Sequence, residues 1–179
     1  FAMARMGQDV IVAPSGEGKL IRVSPTGEAK LFAEVDAKVV WAMVASEGEV
    51  HVAGAGERGA VLALAREGQS RKLVELPEEP AFTALLPDGE GAWYLGTHGR
   101  GLVARWRGGD RVEVLMDTPF EEVRALALSE GALYVAGNNG LARQMVSGQL
   151  ERREGFLQAE PQTQVRCGVY RFGKDRVPE

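Results

Sequence analysis

The sequence has very few of the residues that build disulfide frameworks and metal centres. Among its 179 residues there is one cysteine, Cys167, and there are two histidines, His51 and His98. A single cysteine excludes an internal disulfide and a cysteine-based zinc site, and two histidines are too few for a histidine-rich metal centre. We therefore predict that the protein holds no metal ion and no other cofactor.

Long apolar runs and an excess of positive charge are also missing. No stretch of about 18 apolar residues is present, as a membrane-spanning helix requires, so we expect no membrane insertion. No charged segment followed by an apolar one opens the sequence, so we expect no signal peptide in it; this leaves the compartment open. Lysine and arginine number 21 against 25 aspartate and glutamate, a net charge of −4 with the two signs interleaved. Without a basic stripe, we expect no nucleic-acid surface.

Catalytic motifs are absent as well. The sequence contains no HExxH, GxSxG, Walker A or EF-hand pattern, and each of these is the spacing that one kind of catalytic or ion-binding chemistry needs. The adjacent carboxylates Glu78–Glu79 and Glu121–Glu122 point to opposite sides of an extended chain, so we interpret them as solvated linker charge rather than acid–base couples. The sequence predicts no catalytic residue.

What the sequence does contain is an internal repeat. Four similar segments begin at Phe1, Trp41, Phe82 and Val123, which are 40, 41 and 41 residues apart. Each segment reads as an apolar stretch, a polar turn and a second apolar stretch, and two more short stretches with a glycine turn between them complete the unit. Four short stretches per unit at a period near 41 are typical of a β-propeller blade.

We therefore predict an all-β protein, a β-propeller of four four-stranded antiparallel blades. The blades are predicted over residues 1–34, 39–76, 81–117 and 123–155. Residues 156–179 form a C-terminal extension, in which the apolar stretch 165–172 predicts one further strand. A competing helix over 144–160 would be interrupted by Gly148 and Gly155, so strands are favoured there.

Two segments carry a resemblance to known repeats. The segment 18–68, which begins GKLIRVSPTGE, resembles the blades of bacterial NHL-like, SMP-30-like and WD40-like propeller proteins. The segment 92–106, AWYLGTHGRGLVARW, resembles those of two-component-regulator propellers. The resemblance implies the propeller architecture, which serves many unrelated functions. Such propellers usually close with about six to eight blades. Four blades would form a compact ring, a half-ring completed by a second copy or another chain, or a piece of a longer protein, and we favour the last two.

Candidate binding residues lie in the loops that propeller topology brings to one face. The loops between second and third strands and the linkers between blades surround a central funnel, and loops on a rigid scaffold commonly carry binding residues. His98 and Arg100 share a glycine-flanked loop and could together bind an anion or a carboxylate. Arg124 is predicted either to project into the funnel or to pair with Glu121 or Glu122, and plain turns are the alternative for every loop. The candidate binding residues are Glu17, Glu57, Arg58, His98, Arg100, Arg124, Asn138 and Asn139.

Three further positions are predicted to be structural. Trp41 recurs with other aromatic residues at repeat positions, which indicates packing between blades. His51 falls in an apolar stretch, where a hydrogen-bonded core histidine is expected. Cys167 has no activating neighbour apart from Arg166 and is interpreted in the same way.

These observations predict a non-catalytic scaffold or binding module. It would present a polar loop face to a protein partner, or join a second copy that completes the ring. One alternative is an enzyme of the SMP-30 or streptogramin-lyase type, for which the resemblance implies a divalent metal on the axis; only Glu17, Glu57, Asn138 and Asn139 occupy loops that could contribute ligands. Another alternative is a segment of an extracytoplasmic sensor, as the two-component-type blades imply.

Overall fold

All regular structure in the described part of the chain is antiparallel β-strand. The computed structural model describes residues 2–14, 17–56, 58–109, 111–139 and 167–172. The strands are β1 (Ala2–Met6), β2 (Asp9–Ala13), β3 (Lys19–Val23), β4 (Ala29–Glu34), β5 (Val39–Ser46), β6 (Glu49–Ala55), β7 (Gly59–Leu64), β8 (Ser70–Leu76), β9 (Ala81–Pro87), β10 (Trp93–His98), β11 (Leu102–Trp106), β12 (Val112–Asp117), β13 (Glu122–Ser129), β14 (Ala132–Asn138) and β15 (Cys167–Phe172). The prediction of an all-β, antiparallel protein is therefore confirmed.

Consecutive strands pair with one another in meanders that follow the sequence repeat. We call β1–β4 the first meander, β5–β8 the second, β9–β12 the third and β13–β15 the fourth. The first meander is a separate sheet, whereas the other eleven strands form one hydrogen-bonded sheet. That larger sheet is continuous only because single residue pairs, Ala55 with Ala81 and His98 with Glu122, join successive meanders.

The fourth meander differs from the predicted four-stranded blade. Its third strand is β15, which pairs with β14 along its whole length, in the place that β3, β7 and β11 occupy in the other meanders. The predicted stretch 165–172 thus overlaps a strand that lies inside the meander rather than beside it. The blade strands predicted before residue 155 fall within 140–166, outside the described residues, so the predicted domain boundaries stay a prediction.

Each of the last three meanders has a β-bulge near the start of its first strand. The pairing register skips Trp41 in β5, Thr83 in β9 and Arg124 in β13. A bulge adds one unpaired residue and re-aims its side chain. These three residues therefore occupy equivalent positions. The predicted segment starts at Trp41 and Val123 instead align Arg124 with Ala42, and the bulges correct that alignment by one residue.

The core lies between neighbouring meanders, and each pair of neighbours shares one apolar cluster. Ile11 and Leu20 of the first meander pack with Met43 and Val52 of the second, and the second–third and third–fourth junctions have clusters of the same kind. The second strands β6 and β10 are buried on both faces, which agrees with their nearly continuous apolar sequences.

Glycine at the end of a second strand allows the third–fourth junction to close. A Cβ atom on Gly96 would stand 2.5 Å from Val123 Cγ1, and one on Gly137 would stand 2.5 Å from Phe120 Cδ2. Val123 belongs to the first strand of the next meander, whereas Phe120 belongs to the linker that leads into the meander of Gly137 itself. These two glycines are therefore explained by the close approach of the fourth meander and its linker.

Candidate functional site

The bulge residues come together around one ion pair. Arg124 Nη1 donates a hydrogen bond of 2.7 Å to Glu122 Oε1, and the Arg124 guanidinium lies 5.4 Å from the centroid of the Trp41 ring. The Thr83 hydroxyl donates to the Val123 carbonyl oxygen at 2.6 Å. We call Trp41, Thr83, Glu122 and Arg124 the bulge cluster, because it links the second, third and fourth meanders through the residues that the bulges re-aim.

Glu122 is the buried centre of this cluster. It is 1% exposed, and its Oε2 has no hydrogen-bond partner among the described residues. Its backbone pairs with His98 on one side and Asn138 on the other. His98 Nδ1 and Asn138 Oδ1 are also buried and have no partner within the described ranges. Three of the predicted site residues, His98, Arg124 and Asn138, are therefore placed next to Glu122.

A second buried carboxylate, Glu79, lies in the linker before the third meander. Glu79 is 2% exposed; its Oε2 accepts the Arg100 N–H at 3.3 Å, and its Oε1 has no partner in the described part of the chain. Each linker has a buried residue two positions before the next strand, and these residues are Ala37, Glu79 and Phe120. Two of the three junctions fill this position with apolar atoms. A carboxylate there is energetically unfavourable unless something binds it.

The remaining predicted site residues lie in ordinary surface contacts. Arg100 forms ion pairs with Glu78 at 3.7 Å and Asp117 at 3.5 Å, so its guanidinium already stands between two carboxylates. Arg58 pairs with Glu75 at 3.4 Å. Glu17 accepts a hydrogen bond of 2.7 Å from Lys19, which lowers the pKa of Glu17.

Two predicted residues of the loop face remain. Asn139 Oδ1 accepts the Glu121 N–H at 2.8 Å, which is a turn-stabilising contact. Glu57 lies outside the described residues.

Sequence reasoning missed the acidic part of the site. It assigned Glu79 and Glu122 to solvated linkers, whereas the structure buries both. It assigned Trp41 to the core, whereas this side chain is half-buried against Arg124. An alignment of the three linkers would have found Glu79, because it stands where Ala37 and Phe120 are apolar.

A separate groove of about 640 Å³ lies on the outer side of the second and third meanders. Arg105, in its wall, donates to Asp88 at 2.8 Å, and both side chains are almost fully buried. Burial alone would raise the pKa of Asp88, but the hydrogen bonds from Arg105 and from the N–H groups of Glu90 and Ala92 outweigh it and lower that pKa. This ion pair closes the turn between β9 and β10, so we assign it a structural role.

Two other kinds of feature are absent from the described residues. These residues contain no group of three or more histidine, cysteine, aspartate or glutamate side chains that could hold a metal ion. Nor is any helix long and apolar enough to span a membrane found among them.

Comparison with known proteins identifies the class of fold only. No protein-family model and no curated protein matches the sequence. The structure of a streptogramin B lyase is similar over 75% of this chain and 47% of its own, with 17% identity and a TM-score of 0.62. The extracellular domain of a hybrid two-component system from B. thetaiotaomicron is similar over 75% of this chain and 19% of its own, with 14% identity and a TM-score of 0.59.

A third similar structure is that of the computationally designed Ika4 protein. The similarity covers 96% of this chain and 90% of that one, with 17% identity and a TM-score of 0.56. The chain thus spans half or less of the two natural proteins but nearly all of the designed one. At these identities the likeness defines a class of fold, and that class is the β-propeller-like proteins.

Proposed function

We propose that this chain is a non-catalytic propeller-type binding module, and that its loop face binds a protein partner through the bulge cluster, Glu79, His98 and Asn138. The loop face is the edge at which the second strands end and the first strands begin. His98 and Asn138 are the last residues of β10 and β14, and Glu122 is the first of β13, so antiparallel pairing brings them to one edge.

The observation that carries the proposal is the set of buried polar atoms at this edge that have no partner in the part of the chain that the structure describes. They are Trp41 Nε1, Glu79 Oε1, His98 Nδ1, Glu122 Oε2 and Asn138 Oδ1. Leaving such an atom unpaired costs about 1–3 kcal/mol, and native proteins keep few of them. A partner that supplies the missing hydrogen bonds would remove this cost.

The chemistry of these atoms indicates what the partner offers. Glu79 Oε1, Glu122 Oε2 and Asn138 Oδ1 are all acceptors, so the partner is expected to present donors. Lysine and arginine side chains are donors only, and they form stronger hydrogen bonds with carboxylates than neutral donors do. A basic segment of a protein is therefore the partner that fits this face best.

The experiment is selection of a random displayed peptide library on the immobilised chain, followed by affinity measurement with synthetic copies of the selected peptides. We expect these peptides to contain lysine or arginine, and to bind the Glu79→Gln, Glu122→Gln double variant at least about tenfold more weakly. Glu28→Gln, an exposed carboxylate at the opposite edge, is the matched control and should bind unchanged. Peptides that lack basic residues, or that bind the double variant as well as the parent, would exclude this face as the site.

An enzyme is the second candidate, because a streptogramin B lyase is among the structural neighbours. The hypothesis of an enzyme of this type predicts one bound divalent metal ion per chain, which elemental analysis of the purified protein would detect. A metal-free protein whose melting temperature is the same with and without chelator would instead favour the binding module. A segment of an extracytoplasmic sensor is the third candidate, because the extracellular domain of the B. thetaiotaomicron two-component system is also a structural neighbour.

A further inference from the structure

Every meander has two faces that play different roles in packing. One face, which we call the front face, carries a large apolar residue of the first strand. These residues are Met3, Met43, Leu85 and Leu126 in the first to fourth meanders. The back face carries a pair of small residues directly opposite each other: Ala2 with Ala13, Ala42 with Ala53, Ala84 with Gly96 and Ala125 with Ala136.

Within the chain, the back face of one meander always packs on the front face of the next. Ala13 and Met43 share the first cluster, Ala53 and Leu85 the second, and Ala84 packs with Leu126 in the third. A large front residue thus lies in each case against the small pair of the preceding meander, as interdigitated packing requires.

Within the described part of the chain, the series leaves one front face and one back face uncovered. Met3 is 70% exposed, whereas Met43 and Leu85 are each 8% exposed. At the other end Ala125 is exposed, whereas its equivalent Ala84 is buried. Tyr134 is half-buried, whereas its equivalent Tyr94 is buried. Each end therefore exposes residues whose equivalents at the internal junctions are buried or half-buried.

We propose that a second copy of this chain covers both ends, front face on back face, so that two copies close one ring. Each of the three internal junctions joins a back face to a front face, and the two open faces are one of each kind. A second copy supplies a front face for the open back face and a back face for the open front face. A two-fold axis makes the two new contacts identical and leaves no open face. The ring would contain eight meanders, within the range of known propellers.

The test is the mass of the 179-residue chain in solution, by light scattering on a sizing column over a range of concentrations. We expect twice 19.3 kDa at high concentration, with dissociation on dilution. Met3→Glu puts a charge on the front face and Ala125→Glu puts one on the back face. Each should raise the dimer dissociation constant by at least about tenfold, and both residues are exposed in the single chain, so both variants should remain folded.

Val114→Glu is the matched control. Val114 is also an exposed apolar residue, but it lies on β12 in the interior of the series, so this variant should dimerise like the parent. A mass of 19.3 kDa at every concentration would overturn the proposal and favour cover by residues 140–166 or by further repeats of a longer protein. A mass that rises above that of a dimer as the concentration increases would contradict a ring closed by two copies. A dimer that Ala125→Glu leaves intact would overturn the front-to-back arrangement.

Discussion

Met3 and Met43 occupy the same position in the first and second meanders, and their surroundings differ completely. Met43 lies under the back face of the first meander and is 8% exposed, whereas no described meander covers Met3, which is 70% exposed. The residue type and the strand register are the same in both places. Burial in a repeat protein is thus decided by the neighbouring repeat rather than by the residue itself.

A second pair of residues limits what exposure alone can indicate. Leu31 and Val114 lie on the outermost strands of the first and third meanders and are 58% and 51% exposed. The third meander has a neighbour on each side, and Val114 is still exposed. Exposure at the outer rim therefore carries no information about a missing neighbour, whereas exposure of a first-strand residue such as Met3 does.

The largest expected effect is a difference in the free energy of unfolding between alanine variants of Met43 and Met3. Met43→Ala removes buried side-chain atoms and should lower the free energy of unfolding by about 2–5 kcal/mol. Met3→Ala should change it by less than about 0.5 kcal/mol in the dilute, monomeric chain. Urea denaturation of both variants measures the difference. Equal losses would show that the first meander's front face is covered within the single chain.

A covered junction can also be broken by adding an atom. Gly96→Ala places a methyl group against Val123 and should cost about 1–3 kcal/mol, since overpacking strains both strands. Adding Val123→Ala removes the nearest atom, Cγ1, but leaves the Cβ atoms of residues 123 and 84 at 2.8 and 3.0 Å. The double variant should therefore lose less stability than the sum of the single variants, with part of the strain remaining. Additive losses in denaturant titrations would mean that the two residues are not in contact.

The linker position of Glu79 predicts a small net change in stability. Glu79→Ala copies the residue found at Ala37 and removes the buried Oε1, which has no partner among the described residues, but it also removes the hydrogen bond that Oε2 accepts from the Arg100 N–H. Because the two effects oppose each other, we expect the free energy of unfolding to change by less than about 1 kcal/mol. The same change should weaken binding of basic peptides if the loop face is the site. Thermal melting checks the first expectation, and a clear loss of stability would assign Glu79 a structural role instead.

The smallest expected effect is a dependence on pH at the second–third junction. His51 stacks on Trp93 with ring centroids 4.4 Å apart, and burial lowers its pKa, although Glu49 opposes the shift. The unfolded chain therefore takes up the proton at a higher pH than the folded chain does, and stability should fall as the pH drops below about 6.5. His51→Ile, which copies Ile11 at the equivalent position, should remove this part of the pH dependence of the melting temperature. An unchanged profile would contradict the assignment.

The repeat in the sequence was sufficient to predict the strand groups, because apolar alternation and glycine turns report local structure directly. The bulges were not predicted, since an extra residue in one strand leaves no mark on the spacing of turns. Without the bulge at Trp41 the alignment set Arg124 against Ala42, and the contact between Arg124 and Trp41 could not be foreseen. The place of β15 beside β14 was missed because the two strands are far apart in sequence.

The candidate site was predicted in part. His98, Arg124 and Asn138 were named from the loops, and the structure sets them around Glu122. Glu79 and Glu122 were missed because charged residues in linkers are normally solvated. Their burial depends on the approach of the next meander, which is a tertiary effect that adjacent residues do not encode.

The most direct test of the open and covered faces is the rate at which dilute hydrogen peroxide oxidises Met3 and Met43 in one sample. Mass spectrometry measures both rates. Oxidation of methionine follows its exposure, and each residue serves as the control for the other. We predict that at low protein concentration Met3 oxidises much faster than Met43, and that Met3 becomes protected as the concentration rises. Rapid oxidation of Met3 at every concentration would contradict closure by a second copy, and equal rates at low concentration would contradict the open front face itself.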